Sequence, residues 1–592
     1  GLVYGKERAW KTAELSEHGL AAYAEHPLLR MVGVDRGFYA PIPEADLRAY
    51  ADAVPDDFRF LVKAPSAVTD AVRRQVDNAL QARLYNSLSG ESAAQQRAGL
   101  YTSVETAVGE LAQDASGNGY DISSGLSSFF NTWSERANLR GSSASVIQEG
   151  DRLAALMRRQ RSNLSDLRDQ IDGQLGAAVT QADGYMSQIA ALNVQVASAE
   201  ASGAEASTLR DQRDQAVAQL SQLMDVSVVD NGAQGVSVLV GSEPVVVGGT
   251  SRGLSLTREA DSTGSVQVTI RTKDRPTQVV PAEGQIGAML QGRTQAIDDA
   301  TKSLDTLAAQ LIFQVNKIHS TGTNANGLTT ATGSLQVAGG DQTLALNDPA
   351  NLSLSRLPFA ATNGGFTVTV RQPNSTQTQT VRINVDLDGI TAAGLPGTAD
   401  DTSLDDIRAS LSGISGLTAT ITSDGRLKVD ADPGVTFSFS DDSSGALAVL
   451  GVNSYFTGTD ATNIAVRSDL VSNPDGLMTG RLQADGTFVE NGTALMLADL
   501  QTTQHTSLSG RSLSEFWRDK VSAIGTRSAA ATSDAQAATD VRSSLENQRA
   551  AVSGVSMDEE SLNLMAFQRQ YQGAARLISV ASQMFDALMQ LV

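Results

Sequence analysis

Chemistry at neutral pH would have to start from very few side chains. The chain has four histidines, His18, His26, His319 and His505, and no cysteine. The lack of cysteine rules out disulfides, thiolate metal sites and cysteine nucleophiles. No two histidines stand three or four apart, the spacing that would set two metal ligands on one helix face. A lone histidine such as His319 reads as a helix-end or core residue. Asn384-Val385-Asp386-Leu387-Asp388-Gly389 opens like a calcium loop, with hard oxygens at alternate positions and a glycine to turn the chain. Its ninth position is Ala392, however, and its twelfth is Leu395, where a bidentate glutamate would close the cage. A polar turn between strands is the better reading. The acidic triplet Asp558, Glu559 and Glu560 imitates paired carboxylates, but at the head of a helix its attraction to the helix dipole suffices. Walker loops, dinucleotide fingerprints after a strand and nucleophile elbows are all missing. The residues support no enzyme, no cofactor site and no metal site.

What the sequence offers in place of chemistry is packing. From Leu564 to Val592 apolar residues recur three and four apart: Leu564, Phe567, Tyr571, Ala574, Ile578, Ala581, Phe585, Leu588 and Val592. This spacing predicts a coiled-coil helix with an a/d seam of about four heptads. Ser556 and Glu559 fit a capping box at its start. Such a helix spans roughly 50 Å. Burying each large side chain on the stripe is worth ~1.5–3 kcal/mol, so the helix needs a partner. The competing reading, a helix docked on the protein's own core, calls for a broader apolar face than this one.

At 592 residues the chain has room for several domains. Its net charge of −21 argues against nucleic acid or an anionic membrane surface as partners, since both select clustered Lys and Arg. An apolar fraction of 41% is too high for general disorder, and only 5% of residues are aromatic, which suits small-residue helix packing. No apolar run reaches membrane-spanning length, and no basic-then-apolar leader opens the chain. The absence of cysteine fits a cytosolic protein and equally one that crosses an export channel unfolded. The first residue is Gly1, as a processed, truncated or incomplete start would give.

Composition shifts divide the chain. Residues 1 to about 70 are rich in proline and aromatics, and a strand near Met31–Asp35, a helix near Glu44–Ala53 and a strand near Phe58–Lys63 would make one βαβ unit. One such unit cannot cover its own sheet. From about Val72 to Asp225 the pattern is helical. The stretch from Ser145 to about Ala199 carries Leu164, Leu167, Ile171, Leu175, Ala178, Ala182, Tyr185, Ile189, Leu192 and Val196 on one stripe, and a second helix from Ser207 to Met224 folds back. The period then switches to two from Val226 to about Ile270, returns to helical from Gly284 to about Ser320, and is β-rich to about Ile464. From about Leu508 it is helical again. The predicted fold class is multidomain α+β: a long helical-bundle or coiled-coil rod with inserted β-rich domains, preceded by a short βαβ-like foreign fragment. The expected domains are 1–70, a discontinuous helical rod of 71–225 with 505–556, a β segment 226–283, a helical segment 284–325, a projecting β-rich domain 326–504, and the C-terminal helix 557–592.

The C-terminal run Ser553-Gly554-Val555-Ser556-Met557-Asp558-Glu559-Glu560, with Leu564, Phe567-Gln568, Tyr571-Gln572, Ala574-Ala575-Arg576-Leu577-Ile578 and Phe585-Asp586-Ala587-Leu588, resembles the C-terminal motif shared by flagellar rod, hook and hook-associated proteins. Further stretches narrow the resemblance to the hook-associated protein 1 family of hook–filament junction proteins, over about residues 72–592. They are Leu209-Arg210-Asp211-Gln212-Arg213-Asp214, Gly284-Gln285-Ile286-Gly287-Ala288-Met289-Leu290, Val315-Asn316 with His319, Phe129-Phe130-Asn131 with Trp133, and Ala494-Leu495 with Ala498-Asp499-Leu500. The resemblance implies a non-enzymatic protein exported through the flagellar type III channel without a cleaved signal peptide. It also implies self-association in a ring, contacts to the hook protein and to a second hook-associated or filament protein, and an export chaperone. The seam residues would then be the assembly interface. Another axial protein of the hook or rod is the runner-up.

Residues 1–70 depart from that family. Through His26-Pro27-Leu28, Gly33-Val34-Asp35-Arg36, Phe38-Tyr39-Ala40-Pro41 and Asp57-Phe58-Arg59-Phe60-Leu61-Val62-Lys63 they resemble a fragment of an uncharacterised bacterial TIM-barrel family. The family's N-terminal helix, which pairs with the C-terminal seam, is not found in this sequence. The expectation is a gene fusion, or a misassembled or mispredicted reading frame, whose seam lacks its partner in cis; a non-assembling fusion product is the alternative to a junction subunit.

Overall fold

The computed structural model describes residues 2–4, 9–11, 31–34, 44–55, 59–62, 77–109, 121–201, 206–260, 266–373, 378–483, 486–553 and scattered helical positions between 561 and 583. Near the N-terminus Met31–Val34 and Arg59–Val62 pair in parallel, with helix α1 (Glu44–Asp52) between them in sequence. An antiparallel pair, Leu2–Tyr4 with Ala9–Lys11, precedes them.

The helical body follows. Helix α2 (Asn78–Val108) begins where the Asp77 carboxylate accepts hydrogen bonds from the backbone N–H of Ala79 and Leu80, and ends at Gly109 in the left-handed region. Helix α3 (Ile122–Ala137) starts with a capping box of Asp121 and Ser124 and buries Ile122, Leu126, Phe129, Phe130 and Trp133 on one face. Helix α4 (Ser143–Glu200) is 58 residues long, roughly 87 Å at 1.5 Å per residue. Of its apolar stripe, Leu164, Ile171, Leu175, Ala178, Ala182, Ile189, Leu192 and Val196 are buried, and Leu167 and Tyr185 are partly buried. Helix α5 (Ser207–Leu223) packs back on it, and the Arg210–Glu200 pair at 2.7 Å closes the turn. That pair is what holds the Glu200 carboxyl down at about 2.

The sequence predicts one helix from Gly284 to about Ser320. The structure divides it into α6 (Gly284–Gly292), a π-helical turn at Arg293–Asp298, and α7 (Asp299–His319). The wide turn puts Arg293, Ala296 and Ile297 on the buried face, where Arg293 bonds Asp172 of α4 at 2.7 Å and the Val266 carbonyl at 2.7 Å. Gly292 lets α6 approach α2, since a Cβ there would meet Leu100 at 2.8 Å. Helix α10 (Leu513–Ser553) runs along α2 and closes the bundle, after α8 (Leu404–Ser412) and α9 (Gly492–Asp499) in the chain.

Small antiparallel sheets are inserted between these helices. Four strands in the order Ser227–Asp230, Val236–Val240, Glu243–Val247, Thr250–Ser251 lie against α4. Polar α4 residues fix them: the Asn193 amide bonds Val236 N–H and C=O and the Gly248 carbonyl, all at 2.7–3.0 Å. A second sheet, Gln278–Val279, Val266–Thr272 and Leu254–Ala260, is tied down by Asp183, which accepts from Leu254 N–H and from Lys273. Beyond α7 the order Thr378–Val385, Gly364–Arg371, Thr436–Ser440 makes a sheet whose inner face buries Phe366, Val368, Phe437 and Phe439. The sheet Thr330–Thr332, Leu427–Ala431, Leu417–Ile421 completes this part with α8 packed on it.

Candidate assembly surface and the junction behind it

The C-terminal seam is carried by the chain that leaves α10. The root of that helix is fixed, with Leu513 and Trp517 fully buried in the main core. Further along, Leu545 packs with Leu80 and Leu84 of α2. Arg542 spans the two helices, pairing with Glu91 of α2 at 2.5 Å and with Glu546 of its own helix at 2.6 Å. The two carboxylates raise its guanidinium above the ordinary range. Beyond that point the surface opens. Leu564 is helical and 59% exposed, and its neighbour Met565 is also exposed. The other seam positions, Phe567, Tyr571, Ala574, Ile578, Ala581, Phe585, Leu588 and Val592, lie outside the described residues, as does the capping box of Ser556 and Glu559.

Behind this pair of helices, the helical body meets the β-rich part in one aromatic and polar junction. Phe129 and Trp133 of α3 meet Tyr455 with ring centroids 5.7 and 5.6 Å apart, and Phe129 meets Phe456 at 5.7 Å. The Tyr455 hydroxyl donates to the Val146 carbonyl of α4 at 2.7 Å. Gly150, one turn on, makes room for it, because a Cβ there would lie 2.1 Å from the hydroxyl. Burial keeps that phenol neutral, well above its usual range. Asn316 of α7 accepts from Tyr455 N–H and Phe456 N–H and donates to the Phe456 carbonyl, each at 2.9 Å. Asn453 returns the interaction, donating to the carbonyls of His319, Ser320 and Gly322 from a left-handed backbone. Every one of these groups is buried, so each bond spares the desolvation cost of an unpaired polar group. Tyr455→Phe is expected to cost about 1 kcal/mol, seen as a lowered urea midpoint.

His319 sits inside this junction, fully buried. Its Nδ1–H donates to the Asn453 carbonyl at 2.8 Å, and its Nε2 has no partner among the described residues. Burial, with a smaller push from Arg467, lowers its pKa to about 4. His505 is buried as well, and burial lowers its pKa too. His18 and His26 lie outside the described residues. Among the described residues no helix is long and apolar enough to cross a membrane.

Asn316 stands among the stretches that carry the resemblance, but the sequence singled out neither Asn453 nor the Glu91–Arg542 pair as organising residues. Asn453 had one local signal, since Gly451-Val452-Asn453 is a turn composition. Asn316 and Glu91 sit on helices with no periodic or compositional mark.

Comparison with known proteins points one way over most of the chain. Residues 109–334 match the family described as "Flagellar hook-associated protein FlgK helical domain", and residues 547–591 match "Flagellar basal body rod FlgEFG protein C-terminal". Residues 5–101 match a protein of unknown function, DUF72, a match that reaches past residue 70 into most of α2. The chain is 27% identical over 446 residues to flagellar hook-associated protein 1 of Escherichia coli K12, covering 72% of each. It is 27% identical over 540 residues to the protein of that name from Salmonella typhimurium, covering 88% of this chain and 89% of that one. A solved structure, the flagellar hook junction protein FlgK from Burkholderia pseudomallei, aligns with 79% of this chain and 99% of its own at 17% identity and a TM-score of 0.47. Over most of its length the chain is therefore similar to flagellar hook-associated protein 1, and its N-terminal part is similar to a second, different family.

Proposed function

We propose that the chain is a structural, non-enzymatic subunit of the bacterial flagellum that joins hook to filament and is held there by its C-terminal seam. One observation carries this reading. The apolar stripe from Leu564 to Leu588 falls inside the segment that matches the axial-protein C-terminal family, and it follows a helix whose root is locked into the molecule's core. A stripe so anchored has its partners in neighbouring subunits, in the manner of knobs seated between helices. Those partners are further copies of this chain in a ring, the hook protein, and a second hook-associated or filament protein. An export chaperone keeps the seam from self-pairing before the subunit leaves the cell. The site of action is outside the cell, at the hook–filament junction, reached without a cleaved signal peptide.

A second reading is a non-assembling fusion product, favoured by the match of residues 5–101 to a different family. The two part in a strain whose own junction gene has been replaced by this one. Filaments attached to hooks are the expected result. Filament protein shed into the medium, with this chain stable inside the cells, would replace the first reading with the second.

A further inference from the structure

The turn that leaves strand Thr378–Val385 gathers acid that no basic side chain answers. Asp386, Asp388 and Asp401 each bring a carboxylate oxygen within 4.8 Å of the other two. Asp386 and Asp388 are exposed, whereas Asp401 is 5% exposed. Nearby Asp405 is paired with Arg408 at 2.7 Å, but none of these three meets Lys or Arg among the described residues. One oxygen of Asp401, Oδ2, accepts from Asn347 Nδ2 at 2.6 Å and from Gly389 N–H at 3.2 Å. Its other oxygen, Oδ1, is buried with no hydrogen-bond partner, and so is the Asn347 side-chain oxygen. A buried carboxylate oxygen with nothing to accept from is costly, and three carboxylates at this separation repel. A divalent cation relieves both penalties at once.

We infer that Asp386, Asp388 and Asp401 form a binding site for one calcium ion. All three donors are hard, anionic oxygens, and water and backbone carbonyls complete such a shell. The three oxygens lie within 4.8 Å of one another, close enough to share one ion, and irregular carboxylate ligands on a loop suit calcium, which tolerates flexible geometry, better than magnesium, which demands a near-ideal octahedron. The sequence explains why this was easy to dismiss. Asp386-Leu387-Asp388-Gly389 is the front half of a calcium loop whose twelfth position is Leu395, and the missing acid is supplied by Asp401, six residues later. The fold brings it there: Thr402 N–H donates to the Asp386 carbonyl and Asp386 N–H to the Thr402 hydroxyl, both at 2.8 Å. A bound ion would pin the 386–401 loop to the segment around Asn347 and to the start of α8.

The test uses the purified full chain, stripped of metal with chelator. Calorimetric titration with calcium chloride is expected to give a dissociation constant on the order of 10⁻⁴–10⁻³ M, as for extracellular calcium modules. Calcium at ten times that value should raise the melting temperature of the β-rich part by roughly 2–5 °C over sodium chloride of equal ionic strength. The double variant Asp386→Asn with Asp388→Asn changes only exposed side chains, and it should lose both the heat and the shift while melting no lower than the wild type in chelator, because it removes two of three mutually repelling carboxylates. A shift equal to that in sodium chloride, or one retained by the double variant, would overturn the site. An equal shift with magnesium would overturn its assignment to calcium.

Discussion

Replacing Phe585 and Leu588 together with aspartate is expected to abolish attachment of filaments to hooks while the body of the protein stays folded. Both residues belong to the late heptads of the seam, where each large side chain contributes ~1.5–3 kcal/mol when buried against a partner helix. Losing two removes about 3–6 kcal/mol, which at 1.4 kcal/mol per decade is on the order of 10²–10⁴ in each subunit contact. Two carboxylates placed in the same seam add a desolvation penalty on top. Among the described residues, the cores of the body are assembled from residues up to Trp517 and, in the α2–α10 pair, Leu545. Electron-microscopic counts of hook-attached filaments, set beside the thermal melt of the purified variant, separate the two effects. Gln572→Asp, at a polar position off the stripe, should keep attachment at the wild-type level. Normal numbers of attached filaments on the double variant would end the case for the seam.

How much of this molecule can be read before it is folded depends on how far apart the interacting residues lie. The helix expected from Ser145 to Ala199 spans Ser143–Glu200, and that expected from Ser207 to Met224 spans Ser207–Leu223. In both, the apolar period of 3.6 is a local signal repeated over many turns. The strands at Val236–Val240 and Gly364–Arg371 are equally plain from their period of two. The π turn at Arg293 gives no such sign, and the carboxylate its side chain pairs with, Asp172, lies 121 residues away. Asn316 is one of several polar residues on its helix, with Gln314 and Lys317 beside it, and its partners lie 139 and 140 residues on. Asp401 is the sharpest example. Counting along the loop from Asn384 reaches Leu395 and stops, while the chain turns back and delivers a carboxylate that no spacing rule anticipates. A stripe such as that from Leu564 to Val592 can be picked out by periodicity alone. The polar junction and the acidic cluster cannot, because single residues joined across sequence leave no period.

Acidification should loosen the junction between the helical body and the β-rich part, with His319 as one identifiable cause. The buried ring titrates at about 4, against an ordinary value of 6.5. Between those two pH values the unfolded chain binds a proton that the folded chain refuses, so stability falls as pH is lowered through that window. The contribution is fully present above 6.5 and is lost progressively toward 4, on the order of 3 kcal/mol in all. The direction follows from the surroundings. Nε2 has no acceptor among the described residues, and the ring is enclosed by Trp133 and Tyr455 at centroid distances of 6.4 and 5.7 Å. Arg467 opposes the cation as well, outweighing the weaker pull of Asp469, while the Asn453 carbonyl favours it without overcoming burial. His319→Asn keeps an N–H for the Asn453 carbonyl and cannot titrate in this range. The variant should be less stable at neutral pH because it leaves a cavity. Its urea midpoint, followed by tryptophan fluorescence, should fall less steeply than that of the wild type between pH 6.5 and 4. Carboxylates such as Glu200, lowered from 4.5 to about 2, give up their stabilisation as pH falls from about 4.5 toward 2 and contribute equally to both proteins. The difference between the two pH profiles therefore isolates the imidazole, and parallel profiles would mean that the ring is protonated in the folded state at no cost.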